Sequence, residues 1–480
     1  MSAETKAIPF SQPAEHVDEH SAEHLMFDPR PREEMNQMVM DSMTHTSKTY
    51  WAWLIGLGLA VAVLLFGSWG YMISTGMWVT GLHRPVYWGV FIVTFVFWIG
   101  ISHAGTFVSA ILRVFKAEFR RPFTRAAELM TTFGLAAGAL YPLIHLGRVW
   151  VFYWMIPYPN ARWLWPNFRS PLVWDFLAIT TYLLSSTIYL FLPLIPDLAM
   201  ARDRTSGIRH RVYKLLALGW RGTEAEWHRL RRAINVFAFA IIPVMFSVHT
   251  IVSWDFAVGV VEGWHSTIFG PYFIIGAILS GVSAVVTILF VLRKTLLHMD
   301  YFIRPEHFDA LGKLILVFSM AWAYFFFNDY LLNWYGGNDT IKSILTFHAT
   351  GPTAWIWYVM LICNVLIPWA TLWSKKIRRT PLAMFFITLL VNVGMYAERF
   401  TIIPLTLGHQ RNPFDWGEYT PQPVEIAIAL GTLCLFMFLY MLASRLIPLV
   451  PVWEVQEGQM AHRRYKVGQT EVPAVAELED

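Results

Sequence analysis

Ten long apolar stretches divide the chain, and nothing else in it narrows the fold so sharply. A hydrocarbon layer about 30 Å thick calls for about 20 apolar residues in a helix. The stretches at 50–79, 86–112, 125–155, 172–197, 233–259, 268–297, 307–332, 352–374, 381–403 and 424–447 all meet that length. The first is too long for a cleavable signal, and residues 1–49 before it are polar. The expected fold is therefore an all-α integral membrane protein with about ten transmembrane helices.

Composition agrees and excludes the rival classes. Hydrophobic residues make up 56% of the chain and charged ones 15%, too dry a balance for a soluble domain, a disordered chain or a disulfide scaffold. The 23 Trp suit aromatic belts at two membrane surfaces. Both cysteines, Cys363 and Cys434, lie inside apolar runs, so neither an iron–sulfur cluster nor a zinc site is expected in this chain. No Cys-x-x-Cys-His motif offers a haem attachment.

Lys and Arg set the expected orientation. The even-numbered connections carry 21 of them, in the clusters 113–125, 202–232, 293–304 and 375–379, whereas the odd-numbered ones carry five, Arg84, Arg162, Arg169, Lys342 and Arg411. That asymmetry places both termini in the cytoplasm and the loops 156–171 and 404–423 on the outer face. Connection lengths suggest two four-helix bundles, spans two to five and six to nine, with spans one and ten flanking them. The division reads as a cytoplasmic tail (1–49), a flanking helix and outer loop (50–85), a first bundle (86–267), a second bundle (268–403), an outer loop with the last helix (404–448) and a cytoplasmic tail (449–480). Both tails read as docking or solvated segments.

Ionisable groups are costly in hydrocarbon, about 2.5–3.5 kcal/mol each at a helix centre, and survive where they pair, line a cavity or do chemistry. Counted along the helices, His145 and Arg148 fall in the outer third of span three, Asp175 one turn below the outer end of span four, and His249, Ser253 and Asp255 toward the outer end of span five. His249 and Ser253 share a face, while Asp255 is turned about 120° away. Pro142 and Pro243 are placed to kink their helices and free backbone carbonyls at that depth. Two imidazoles and two carboxyls at one level of one bundle suit quinol oxidation, because each hydroxyl of a hydroquinone needs a proton acceptor within hydrogen-bond reach. Structural readings stand beside this one. Arg148 can simply pair with Asp175 or Asp255, and His145 with His249 offers a bis-histidine haem. His103 lies deeper, without a clear partner. In the second bundle, Asp329, Glu398 and Arg399 form an outer cluster read as an internal ion pair or a proton path; His348 is assigned no role. The hydroxyl run 180–187 reads as interhelical glue.

The runs Tyr141-Pro-Leu-Ile-His-Leu-Gly-Arg148, Trp165-Pro-Asn-Phe-Arg-Ser-Pro-Leu-Val-Trp-Asp175 and Ser247-Val-His-Thr-Ile-Val-Ser-Trp-Asp-Phe256 carry a resemblance, as do Gly263-Trp-His-Ser-Thr-Ile-Phe-Gly-Pro-Tyr-Phe273 and Gly394-Met-Tyr-Ala-Glu-Arg-Phe-Thr-Ile-Ile403. Together they resemble the NrfD/polysulfide-reductase family of membrane subunits, most closely the ActC type of bacterial alternative complex III, with the ActF type sharing the layout. The resemblance implies a subunit of a quinol:cytochrome c or quinol:oxidase oxidoreductase in the bacterial inner membrane. Its substrate would be menaquinol or ubiquinol, with no metal or haem held by this chain. Its partners would be an iron–sulfur subunit, a multihaem cytochrome c subunit and a homologous NrfD-like membrane subunit, with lipid around them and no nucleic acid. The implied site is His145, Asp175, His249 and Asp255 near the outer face, supported by Arg148 and Ser253. A proton-coupled transporter without redox chemistry and a b-haem anchor are the competing classes.

Overall fold

In the computed structural model the described residues are 30–156, 170–461, 464–467 and 470–473. Ten helices among them are long and apolar enough to cross a membrane: Lys48–Thr75, Val90–Val114, Glu118–His145, Val173–Asp203, Glu224–Ala257, Phe269–Thr295, Pro305–Gly336, Ala354–Thr371, Pro381–Gly408 and Pro423–Leu446. They are called spans one to ten. Apart from a short antiparallel hairpin, Arg464–Val467 with Thr470–Pro473, the described regular structure is helical. Hydrocarbon offers no hydrogen-bond partners, so each crossing satisfies its own backbone. Pro142 and Pro243 do not break their helices, which run continuously through both. The irregularities are π-helical turns instead, at Val61–Gly67, Phe107–Ile111, Ile362–Leu366 and Thr401–Leu405.

The two expected bundles form. Span two packs on three, three on four, four on five and five back on two; span six packs on seven and nine, with eight closing the second ring. Spans two and three approach so closely that a Cβ on Gly105 would collide with the backbone of Ala127 and the hydroxyl of Thr131. The bundles join where span six lies against spans two and five and span nine against span two. Span two is accordingly the most buried crossing and span one the most exposed. Span one touches the rest mainly through span ten. There a Cβ on Gly431 would sit 2.5 Å from the Leu65 nitrogen, the Tyr50 hydroxyl donates to the Met441 carbonyl at 2.6 Å, and the Arg445 guanidinium lies 4.1 Å over the Tyr50 ring.

At the end where span one begins and span ten finishes (the terminal-bearing end of the described chain), polar contacts dock the flanking helices. Helix Arg32–Thr44 buries Met35, Val39 and Met43. Helix Val452–Ala461 lies across the first bundle and is not a solvated tail. Its Glu454 bonds Arg120 at 3.0 Å and Arg113 at 3.5 Å, and its Trp453 indole donates to the Pro193 carbonyl at 2.9 Å. Arg121 donates to the Glu454 carbonyl at 2.9 Å and reaches Glu457 at 3.0 Å. Beneath it Arg125 and Asp197 pair at 2.6 Å, both almost wholly buried. Burial alone would push the Glu454 carboxyl up; the charges of Arg120, Arg113, Arg121 and Arg125 outweigh it and hold that carboxyl below its usual range.

Candidate functional site

At the opposite end of the first bundle, the first turns of span four and the last turn of span five carry the two acids. Asp175 and Asp255 lie side by side and interact directly with each other. The Oδ1 atom of each is buried and accepts from no N–H or hydroxyl of the described residues. Two carboxyl groups in contact away from water cannot both carry charge at that separation. What remains is a pair that offers oxygens to an outside donor. Buried acceptors rarely go unused, so two at one spot call for a ligand.

The other expected members are distributed differently. Span three ends at His145, so Arg148 lies beyond the helix, not in its outer third, and it is exposed. Arg148 pairs with neither Asp175 nor Asp255. The buried His145 Nδ1 has no hydrogen-bond partner, and no hydrogen bond or ion pair links this ring to the acids. The Ser253 hydroxyl donates to its own helix, at the Thr250 carbonyl, 2.6 Å away. His249 turns inward, away from a shared hollow, because the side of span five it occupies faces spans two and six. Its ring lies 4.5 Å from that of His103 and 6.0 Å from Phe273. Neither of its nitrogens makes a well-aligned hydrogen bond, the Phe273 backbone giving only a poor one. His103 is therefore not partnerless: besides His249 it meets the Ile99 and Met245 carbonyls at 2.6 and 3.0 Å. His249 meets the ring of His103 on span two edge to face, while His145 stands at the end of span three. Sequence spacing gave no sign of the His103–His249 pair, because it depends on the rotation of span two.

A groove of about 610 Å³ opens between spans four and five. Its walls are Leu177, Ala178 and Thr181 on one side and Pro243, Val248 and Ile251 on the other, with Trp174 and Trp254 at its head. The two indoles meet edge to face at 6.3 Å. Each is the chain neighbour of one acid, but on a helix adjacent side chains diverge by about 100°, and the two buried carboxyls are not part of the groove wall. Leu177 and Trp254 are exposed, which opens it sideways to lipid. Pockets of 300–1,000 Å³ lined by apolar groups around a few polar ones are the usual form of small-molecule sites. The outer loop 156–171 falls almost wholly on residues 157–169, outside the described residues.

The second bundle holds a different polar centre at the same end. Glu398 and Arg399, neighbours in sequence, pair with each other at 3.1 Å, both at least 98% buried. The Trp322 indole donates to Glu398 at 2.7 Å, and the Arg399 guanidinium lies 4.5 Å over Phe273, the ring that His249 also touches. Asp329 does not join the pair; it accepts from Ser266 at 2.9 Å and Asn333 at 3.3 Å. His348, given no role above, is buried beside it, its Nδ1 3.2 Å from the Tyr330 hydroxyl and its Nε2 3.3 Å from Thr406. His348 lies outside the spans, on helix Asp339–Thr350. Burial, aided by His409, pulls its ring down to about 3. Between Asp329, Glu398, Tyr330 and His348 lies a cavity of about 30 Å³. That is room for about two waters and far too little for an aromatic headgroup.

Residues 78–407 match the family described as "Polysulphide reductase, NrfD". The chain belongs to the NrfD family. Curated relatives agree over most of their length. A putative dimethyl sulfoxide reductase membrane subunit of Halobacterium salinarum is 26% identical over 421 residues, 83% of this chain and 91% of that one. A selenate reductase subunit of Mesobacillus selenatarsenatis is 23% identical over 78% of this chain and 89% of its own. An "Hdr-like menaquinol oxidoreductase integral membrane subunit" of Archaeoglobus fulgidus is 23% identical over 83% and 94%. All three are named as parts of oxidoreductases. This NrfD-family chain is accordingly a multi-pass membrane subunit of that redox class. Both acids, His249 and the groove fall inside the matched region.

Proposed function

We propose that this NrfD-family subunit binds a quinol in the groove between spans four and five and oxidises it at the Asp175–Asp255 pair. The observation that carries the reading is an apolar groove open to lipid whose head, Trp174 and Trp254, is one residue in sequence from each of two buried carboxyls without an outside donor. A quinol reaches such a site from the bilayer without crossing water, its isoprenoid tail left along Pro243 and Ile251. One hydroxyl donates to the acid pair, which takes its proton. The second is assigned to the unpartnered Nδ1 of His145 at the end of the adjoining span. Two protons then have two acceptors, and both electrons leave to a separate iron–sulfur protein docked at that end. His103 and His249 lie one layer deeper, against each other and Phe273, and take no proton in this scheme. The relative named as a menaquinol oxidoreductase subunit supports quinol as the substrate class, and the excess of Lys and Arg at the other end supports an outer, proton-releasing face. Alternative complex III remains the assembly that the sequence motifs favour.

A photoreactive quinone analogue bound to the purified complex tests the site. Labelling of spans four and five is the expected outcome, and labelling of the second bundle would overturn the assignment. Filling the groove gives a quantitative companion. Ala178→Trp is expected to raise the KM for quinol about tenfold or more, since losing even 1.4 kcal/mol of binding costs that factor, while kcat changes less. An unchanged KM would place the entry path elsewhere.

A further inference from the structure

The connection between spans four and five contains helix Gly207–Leu216, which the quinol reading does not use. Ile208, Val212, Leu215 and Leu216 recur at spacings of four, seven and eight, so they form one stripe along it. That stripe is open: Ile208 is 79% and Leu215 75% exposed, with Val212 and Leu216 part of the same surface and Leu218 continuing it. The other side is already fixed to the chain. Tyr213 is buried and its hydroxyl donates to the Leu446 carbonyl at 2.9 Å, and a ring nitrogen of His210 meets the Arg202 carbonyl at 3.0 Å. Arg209 and Arg211 edge the stripe on its two sides, and with Lys214 they form no ion pair among the described residues.

Neither neighbouring tail helix supplies a cover. Arg32–Thr44 and Val452–Ala461 turn their apolar residues onto the spans, with Met35, Val39, Val452 and Val455 all buried. The helix also cannot leave the membrane boundary, being tethered between Asp203 at the end of span four and Glu224 at the start of span five. An apolar stripe edged by cations at the level where spans end is the pattern of a helix lying in the headgroup layer, its arginines reaching up to phosphates.

We propose that helix Gly207–Leu216 is an interfacial anchor that sinks Ile208, Val212 and Leu215 into the leaflet at the terminal-bearing end and binds anionic phospholipid headgroups through Arg209, Arg211 and Lys214. The inference is independent of where quinol binds. The test uses the intact complex in nanodiscs of phosphatidylglycerol and phosphatidylcholine. A nitroxide is placed on Leu215→Cys, with Cys363 and Cys434 replaced by Ala. The label is expected to relax with oxygen and to be shielded from a water-soluble nickel chelate, as at the acyl boundary. Accessibility to the chelate would mean a helix in water, and shielding from both reagents a helix covered by protein; either overturns the proposal. In a second measurement the Arg209→Gln, Arg211→Gln variant, with Leu215 intact, is expected to lose its enrichment of co-purifying phosphatidylglycerol, roughly fivefold for each charge removed. Unchanged enrichment overturns the headgroup assignment even where the helix is buried.

Discussion

Asp255→Asn is expected to lower quinol-dependent electron delivery by the intact complex about 10²–10⁴-fold, the range for losing a positioned proton acceptor. The amide keeps the size and a donor toward Asp175, so assembly should be unaffected, but it cannot take a proton. The loss should appear in kcat. Asp175→Asn is expected to be nearly as severe, and the double variant little worse than either single one, because two groups that act together fail as a unit. The check is steady-state turnover with a soluble quinol analogue, alongside gel filtration to establish assembly. Turnover within a factor of two of the unaltered complex in both single variants would reduce the acid contact to an architectural bond.

The second large effect belongs to the other end of the bundle. Glu454→Gln leaves the buried Arg120 and the half-buried Arg113 without their carboxylate, and breaking a buried pair from one side costs about 3–5 kcal/mol. A lowered unfolding temperature and protease cleavage within Val452–Ala461 are the expected readouts. Replacing the pair together, Glu454→Leu with Arg120→Met, should recover most of the loss, since no lone charge remains. The same contact predicts an acid limit. The Glu454 carboxyl titrates lower in the folded chain than in the unfolded one, so its contribution is complete above the unfolded value, about 4.3. It fades as the pH falls through the lower folded value. Helix Val452–Ala461 should therefore release in that acid window in the native chain, and Glu454→Gln should abolish the pH dependence. A release that is unchanged in the variant would assign it to other groups.

The architecture was legible because lipid permits so few solutions: twenty apolar residues fix a crossing, and the number and spacing of crossings left little choice of bundle. Depth was legible too. Asp175 and Asp255 fall at one level when residues are counted along their helices, and they do meet. Rotation was not. Whether His249 faces the acids or faces His103 depends on how span five is turned against span two, and a run that is apolar on every side carries no periodicity to reveal it. Arg148 was misplaced for another reason. The apolar run continues past His145 into the short 3-10 segment Val149–Met155, so hydropathy extended the helix beyond its true end. His348 escaped notice because it lies on a connection that hydropathy treats as a loop, although that connection folds back over the second bundle.

The clasp between spans one and ten has a consequence for biogenesis. Tyr50 and Leu65 leave the ribosome nearly four hundred residues ahead of Met441 and Gly431, the residues they close upon. For most of translation the first crossing waits in the bilayer with an unfilled flank, and it is secured only when the tenth arrives. A chain arrested before that point keeps an open seam along span one, which gives membrane quality control a surface to recognise and makes completion of the polypeptide the event that locks the subunit shut.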